Sequence, residues 1–204
     1  MDPRVPESEQ AGPALYARNN LDRGHLVRRR DPVWGPDAAR ANVDTFCYTN
    51  AAPQAAEFNQ SKELWNGLED HVLAYADSNR LRLSVYTGPV FADDDPLYRG
   101  VQIPRQFWKI AAWADSKGVL AAAGFLLDQT PELDDIDLRQ VTADATPPLG
   151  PFKTFQVPLL TVATLTGLRF GPLVEADRLA ASTTALPSQL RVQLRSFDDV
   201  RLAP

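Results

Sequence analysis

Three stretches decide how this 204-residue chain is built: Asp22-Arg23-Gly24-His25, then Thr45-Phe46-Cys47-Tyr48-Thr49 running into Asn50-Ala51-Ala52-Pro53-Gln54, and then the segment that opens at Asn59. Leu15 to Val27 mixes apolar and polar residues around the first stretch, which predicts a strand or bend carrying functional groups. The β-branched and aromatic content of Thr45–Thr49 predicts a short strand, and Asn50 to Gln54 carries the composition of a turn. From about Asn59 to Ala76, Leu64, Leu68, Val72 and Tyr75 recur at helical spacing and predict an amphipathic helix. Asn59 stands at its start, where a side-chain oxygen can cap free backbone amides. Strand, loop, strand and helix make a scaffold on which side chains from distant positions converge.

Outward from that scaffold the chain is punctuated by proline and glycine. Residues 1–14 predict an irregular lead-in, and Pro32, Gly35 and Pro36 predict a loop over 30–44. Residues 81–87 alternate as a strand that stops at Gly88-Pro89. Residues 107–114 and 119–127 read as a hairpin turned at Asp115-Ser116-Lys117-Gly118. The acidic, proline-rich stretch 130–150 reads as a long loop, Phe152 to Val157 as a strand, and the residues after Pro158 as a helix, with 173–204 as an irregular tail. This irregular order indicates one α+β domain over 1–204, with a mixed or antiparallel sheet and helices.

Composition excludes several classes. The net charge is −5, which speaks against retention on nucleic acid by bulk charge. The single Cys47 excludes an internal disulfide framework and a multi-thiolate zinc site, and within a short apolar strand it reads as buried and inert. No apolar run approaches the ~18 residues of a membrane span, so a membrane is not expected as partner. The first residues lack the basic and apolar regions of a signal peptide; an export signal would belong to a longer N-terminus. Charge is uneven, however. Arg18, Arg23, Arg28, Arg29 and Arg30 against Asp22 give residues 16–30 a balance of +4, leaving −9 for the remainder. The acidic runs at Asp93-Asp94-Asp95 and at Asp134, Asp135 and Asp137 read as solvated loops. His71 reads as structural, and Trp65, Trp108 and Trp113 as packing residues.

Phosphodiester cleavage needs a base for water, positive charge at the phosphate, and groups that hold the backbone. Histidine suits the first task because its ordinary pKa lies near ~6.5. Mg²⁺ can be held by few protein oxygens when water and phosphate supply the rest. The span Asp22 to Glu69 contains these parts.

The ordered set Asp22-Arg23-Gly24-His25, Thr49-Asn50 to Pro53-Gln54, Asn59-Gln60 and Trp65-Asn66-Gly67-Leu68-Glu69 resembles the DNA/RNA non-specific endonucleases, whose active site is the ββα-metal or His-Me finger motif. The resemblance continues through Val85 to Phe91, Ile103 to Lys109 and Gly150 to Pro158, and so covers roughly residues 2–172. It implies His25 as general base, Asn59 as the direct protein ligand of Mg²⁺ (Mn²⁺ as the alternative), and Glu69 accepting from water around the metal. It implies that Asn50 positions the site and the phosphate and that Arg23 contacts the substrate backbone; the arginine cluster adds Arg28 as a candidate for substrate binding, with Arg28, Arg29 and Arg30 read either as phosphate contacts or as a solvated turn. DNA and RNA are the implied substrates, with 5′-phosphorylated products, and a homodimer is left open.

Two features depart from the family pattern. Asn59 and Glu69 are ten residues apart, two more than in the simpler pattern. At about 100° per helical residue, that spacing favours a helix starting after Ser61 with Asn59 on the preceding turn, or else Glu63 competes with Glu69. The family also carries a transition-state arginine just upstream of the segment matching Asp2-Pro3-Arg4, where this chain has only Met1. The expectation is a truncated start or a divergent member, with Arg4, Arg18 or Arg28 as substitutes. A weakly catalytic nucleic-acid-binding module or a protein-interaction module of the same fold is the alternative reading.

Overall fold

The computed structural model describes residues 1–56, 59, 65–130, 133, 153–181, 190–195 and 199–202, with the side chains of 65–67, 69 and 153 outside that description. In chain order the elements are α1 (Pro13–Tyr16), β1 (Leu21–His25), α2 (Ala38–Asp44), β2 (Ala51–Ala55), α3 (Trp65–Ser78), β3 (Leu83–Val90), β4 (Leu97–Tyr98), β5 (Val101–Gln102), β6 (Gln106–Ala114), β7 (Leu120–Asp128), β8 (Lys153–Val157), α4 (Leu159–Thr166), α5 (Arg178–Ala181) and β9 (Val192–Gln193). Short 3-10 turns occupy Glu7–Glu9, Tyr48–Asn50 and Gly171–Leu173. They assort into two compact units. The first is Met1–Asn59, Phe91–Arg105 and Gln129–Pro151; the second is Gln60–Val90, Gln106–Asp128 and Phe152–Pro204.

The first unit is organised around an antiparallel ribbon, with Leu21 opposite Ala55 and His25 opposite Ala51. A lone two-stranded ribbon is marginal in water, and two devices support this one. Leu21 enters a small core with Leu15, Tyr16, Ile103 and Leu133. On the outer edge of β2, the fully buried Gln129 does the work of a third strand. Its Oε1 accepts from the Ala55 amide at 2.9 Å, and its Nε2 donates to the carbonyls of Pro53 at 3.3 Å and Pro104 at 2.6 Å. Its own amide donates to the Arg105 carbonyl at 2.9 Å. One side chain thus satisfies an edge that would otherwise be buried with open donors and acceptors.

The second unit is a five-stranded sheet in the order β3-β6-β7-β8-β9, with every neighbouring pair antiparallel. Alternation sends Trp108, Ile110 and Ala112 into a core with Val157, Leu159 and Val162 of β8 and α4. The opposite face carries Trp113, which meets Tyr75 of α3 edge-on at 6.0 Å. Leu68, Val72 and Ala76 form the buried stripe of α3. Gly124 in β7 permits close passage, because a Cβ there would lie 2.9 Å from the Val157 carbonyl. Asp177 is buried and accepts from the Leu159 and Leu179 amides, tying the starts of α4 and α5 together. No helix among the described residues is long and apolar enough to cross a membrane.

The hairpin of β6 and β7, β1, β8 and α4 lie where the sequence predicts, and the α+β class with antiparallel sheets follows. Other expectations move. Thr45–Thr49 is not a strand: the chain turns there, and the strand is Ala51–Ala55, the stretch expected to turn. Pro53 is tolerated because β2 is an edge strand whose outer rim is closed by a side chain. Cys47 is consequently half-buried rather than sunk in a strand. Residues 30–44 are not all loop, since Ala38 to Asp44 form α2 from strong helix formers. β3 runs on through Gly88-Pro89 to Val90 as an edge strand. A Cβ at Gly88 would come 2.9 Å from the Trp108 Nε1, so the glycine lets the indole cross the strand. The C-terminal stretch contributes α5 and β9 rather than an irregular tail. The lead-in is pinned by Gln10, whose amide contacts Asp2 and Val5. The expected loop over 130–150 and the expected helix start after Ser61 lie outside the described residues, apart from Thr130 and Leu133, while Asn59 itself is helical.

Replacing Gln129 by Leu keeps the volume but orphans one buried amide and two carbonyls. At about 1–3 kcal/mol for each of these buried groups left unpaired, we expect a loss of about 3–9 kcal/mol, read as a lowered urea midpoint.

Candidate active site

The site is built on β1, and its glycine explains why the motif reads as it does. Gly24 faces Ala52 across the ribbon, and Gln54 lies over it so closely that any Cβ would collide with the Gln54 amide. Glycine at this position therefore lets Gln54 cross the strand. The two residues flanking Gly24 can then carry chemistry: Arg23 projects into solvent and His25 ends the strand half-buried. Asp22, paired with Gln54 in the register, accepts a hydrogen bond from Asn59 Nδ2 at 3.0 Å. That bond orients the Asn59 amide and directs its carbonyl oxygen, the atom able to ligate a hard cation, away from the carboxylate.

His25 has an unusual setting. Its Nε2 is buried without a hydrogen-bond partner among the described residues, and its ring meets Phe46 edge-on at 5.6 Å. Burial holds its pKa below 6.5, and the nearby Arg29 guanidinium lowers it further. The imidazole is thus kept neutral, the form a base requires.

Asn50 acts behind His25. Its Nδ2 donates to the carbonyls of Val27 at 2.9 Å and Thr45 at 3.0 Å, its Oδ1 accepts from the Val27 amide at 2.9 Å, and its backbone carbonyl accepts from Leu26. The side chain clamps the segment that leaves β1 and also fixes the turn at Thr45. Arg23 lies near the faces of Tyr16 and Tyr48, at 5.8 and 6.0 Å from their centroids. Burial pushes the Tyr16 phenol up to about 12, so it stays protonated. Arg28 is half-buried at the ribbon exit. Of the arginines considered as substitutes upstream, Arg4 forms a two-pronged pair with Asp2 at 2.8 Å, which holds the Asp2 carboxyl well below the usual range. Thr49, next to Asn50, donates to the same carboxylate at 2.9 Å. Glu69 belongs to α3 in the second unit, and its side chain lies outside the described residues.

The fold thus brings His25, Asn50, Asn59, Arg23 and Arg28 into one unit. Three further residues escape sequence reasoning. Asp22 was part of the quoted motif without a task. Gln54 is fully buried with neither end of its amide bonded among the described residues, and the sequence signal for it is Gly24, which stands diagonally across the ribbon. Phe46 lies in a turn and not in the strand that its neighbours' composition predicts. For a metal, no cluster of three or more His, Cys, Asp or Glu occurs among the described residues. An amide oxygen suits a hard divalent cation that keeps waters and takes its other oxygens from a substrate.

Known proteins resemble this chain in fold and in sequence. EndoG, in the crystal structure of the EndoG/EndoGI complex that describes the mechanism of EndoG inhibition, superimposes with a TM-score of 0.59 at 24% identity, covering 84% of this chain and 67% of that one. The fold is therefore α+β of the EndoG kind, a ββα-metal nuclease fold. The uncharacterized protein y4fB of Sinorhizobium fredii (strain NBRC 101917 / NGR234) is 40% identical over 197 residues. That match takes in 90% of this chain and 29% of the longer protein. The sequence pattern of the DNA/RNA non-specific endonucleases matches residues 1–177, the stretch that includes the ribbon, the Asp22–Asn59 bond and His25, and the chain belongs to that family.

Proposed function

We propose that this chain is a single endonuclease domain that hydrolyses DNA and RNA in a Mg²⁺-dependent, sugar-non-specific reaction leaving 5′-phosphorylated ends. The observation that carries the reading is the bond from Asn59 to Asp22, which ties an amide whose oxygen could take a hard cation to the strand that ends in His25. His25 takes the proton from the attacking water and is the general base. Asn59 holds the cation through its amide oxygen, and Asp22 keeps that amide turned. When bound, the metal supplies positive charge at the scissile phosphate and the leaving 3′ oxygen. Asn50 acts as a positioning residue, its amide being engaged by the backbone on both sides of the site. Glu69 accepts from water around the cation, as the family resemblance implies. Arg23 and Arg28 hold the backbone, and contacts of that kind carry no sequence information.

A second reading, binding without turnover, is supported by one feature: Arg4 is committed to Asp2. Plasmid and RNA incubated with Mg²⁺ and then with chelator separate the two. We expect chelator-sensitive nicking of both; salt-sensitive binding without cleavage would favour the binder.

Three outcomes follow for the variants. His25→Ala should lower cleavage by on the order of 10²–10⁴-fold, the usual worth of a positioned base, and persistence of full activity would remove His25 from that role. Asp22→Ala should raise the Mg²⁺ concentration for half-maximal cleavage by about 10- to 100-fold. Because a base works unprotonated, the acid limb of the rate profile should fall below pH 6.5. Arg29→Gln removes a repelling charge, raises the His25 pKa and should move that limb to higher pH.

A further inference from the structure

Phe46 does not behave like a residue that is exposed by accident. Its side chain is 59% exposed, yet the turn beneath it is held from several sides. The Thr45 hydroxyl donates to the Asn42 carbonyl at 2.7 Å, the Thr45 carbonyl accepts from Asn50 Nδ2 at 3.0 Å, and the Phe46 amide donates to the Val43 carbonyl at 3.1 Å. Arg29 donates through Nε to Asn42 Oδ1 at 3.1 Å, which sets its guanidinium 5.5 Å from the Phe46 ring centroid. The ring's edge contact is His25 itself, at 5.6 Å and 80°. The result is a rigid, solvent-facing aromatic plane, flanked by a cation and touching the presumed base, beside the Arg28-Arg29-Arg30 run.

We propose that Phe46, with Arg29 against it, is a stacking platform for an unpaired base of the nucleotide next to the scissile phosphate, so that single-stranded DNA and RNA are preferred over duplex. The argument is one of reach and charge. A phosphate lying at His25 brings its own nucleoside to a ring in contact with that histidine, and the arginines attract the backbone that carries it. Aromatic planes in a basic setting take any base, because every base has a π-face. In a duplex both faces of each base are already covered by its neighbours, so only an unpaired or splayed base can use the platform. The preference is sequence-tolerant, in keeping with a family of non-specific enzymes. This rests on the endonuclease reading above and sharpens its substrate class.

The test compares wild type, Phe46→Ala and Phe46→Trp on an oligothymidylate and on the same strand annealed to oligoadenylate. Phe46→Ala should lower kcat/KM on the single strand by about 5- to 150-fold, the span of one lost base stack. The loss should appear in KM with kcat and the pH profile held, because stacking is present before and during the reaction. The duplex should lose far less, and Phe46→Trp should restore the single-strand rate. A single strand with one abasic position beside its sole cleavable linkage should be cut by wild type as poorly as the intact strand is cut by Phe46→Ala, and the variant should lose nothing more on it. Equal losses on single strand and duplex, or a fall in kcat with a moved pH profile, would overturn the proposal and make Phe46 a support for the imidazole. Binding in chelator, followed by anisotropy of the labelled oligothymidylate, keeps the two readings apart. Wild type that cuts nothing yet binds the single strand more weakly after Phe46→Ala would sink the endonuclease reading and keep the platform. Wild type that cuts both substrates with no effect of Phe46→Ala would do the reverse.

Discussion

A two-stranded ribbon has to be held from outside, because two strands bury too little to hold themselves. Here the constraint is met by one buried amide. Gln129 matches the donor of Ala55 and the acceptor of Pro53 as a third strand would, and ties both to Pro104 and Arg105. Everything on β1 inherits that rigidity through the register with β2. The side chain takes up far less room than a strand, which leaves the ribbon's face open for chemistry.

Within the ribbon the functional groups are arranged by close approach. Gly24 lets Gln54 cross, Asp22 turns Asn59, and Asn50 holds the exit segment by two side-chain hydrogen bonds and the turn at Thr45 by a third. The charge distribution follows the same logic. An acidic chain with net charge −5 concentrates arginines over residues 16–30, around an imidazole that burial and Arg29 keep neutral. Such a body attracts a polyanion at the arginines while the remainder repels it.

The parts that sequence made legible are those with short-range causes. The β6–β7 hairpin announces itself by two strand-like runs joined at the polar turn Asp115 to Gly118, and Asp115 Oδ1 indeed accepts from the Lys117 and Val119 amides. His25, Asn50 and Asn59 stand in motifs dense enough to be recognised. The errors have long-range causes. Thr45 to Thr49 have strand propensity and yet turn, because the pairing partner of β1 lies further on, and Pro53 is allowed there only by the edge position that Gln129 closes. β9 is two residues long and exists through pairing with β8, far away in sequence.

What the amino-acid sequence by itself determined was the inventory: an α+β chain, the imidazole, the amides and arginines, and the family to which their order belongs. Motif spacing and hydrophobic period carry that information because they depend on residues near one another along the chain. Only the tertiary structure decided which of those groups touch. That Asn59 turns on Asp22, that Gln129 stands in for a strand, and that Phe46 faces solvent against His25 and Arg29 are facts about pairs separated by 37, 74 and about 20 residues. Such pairs are set by the packing and register of the whole unit, and no local pattern records them.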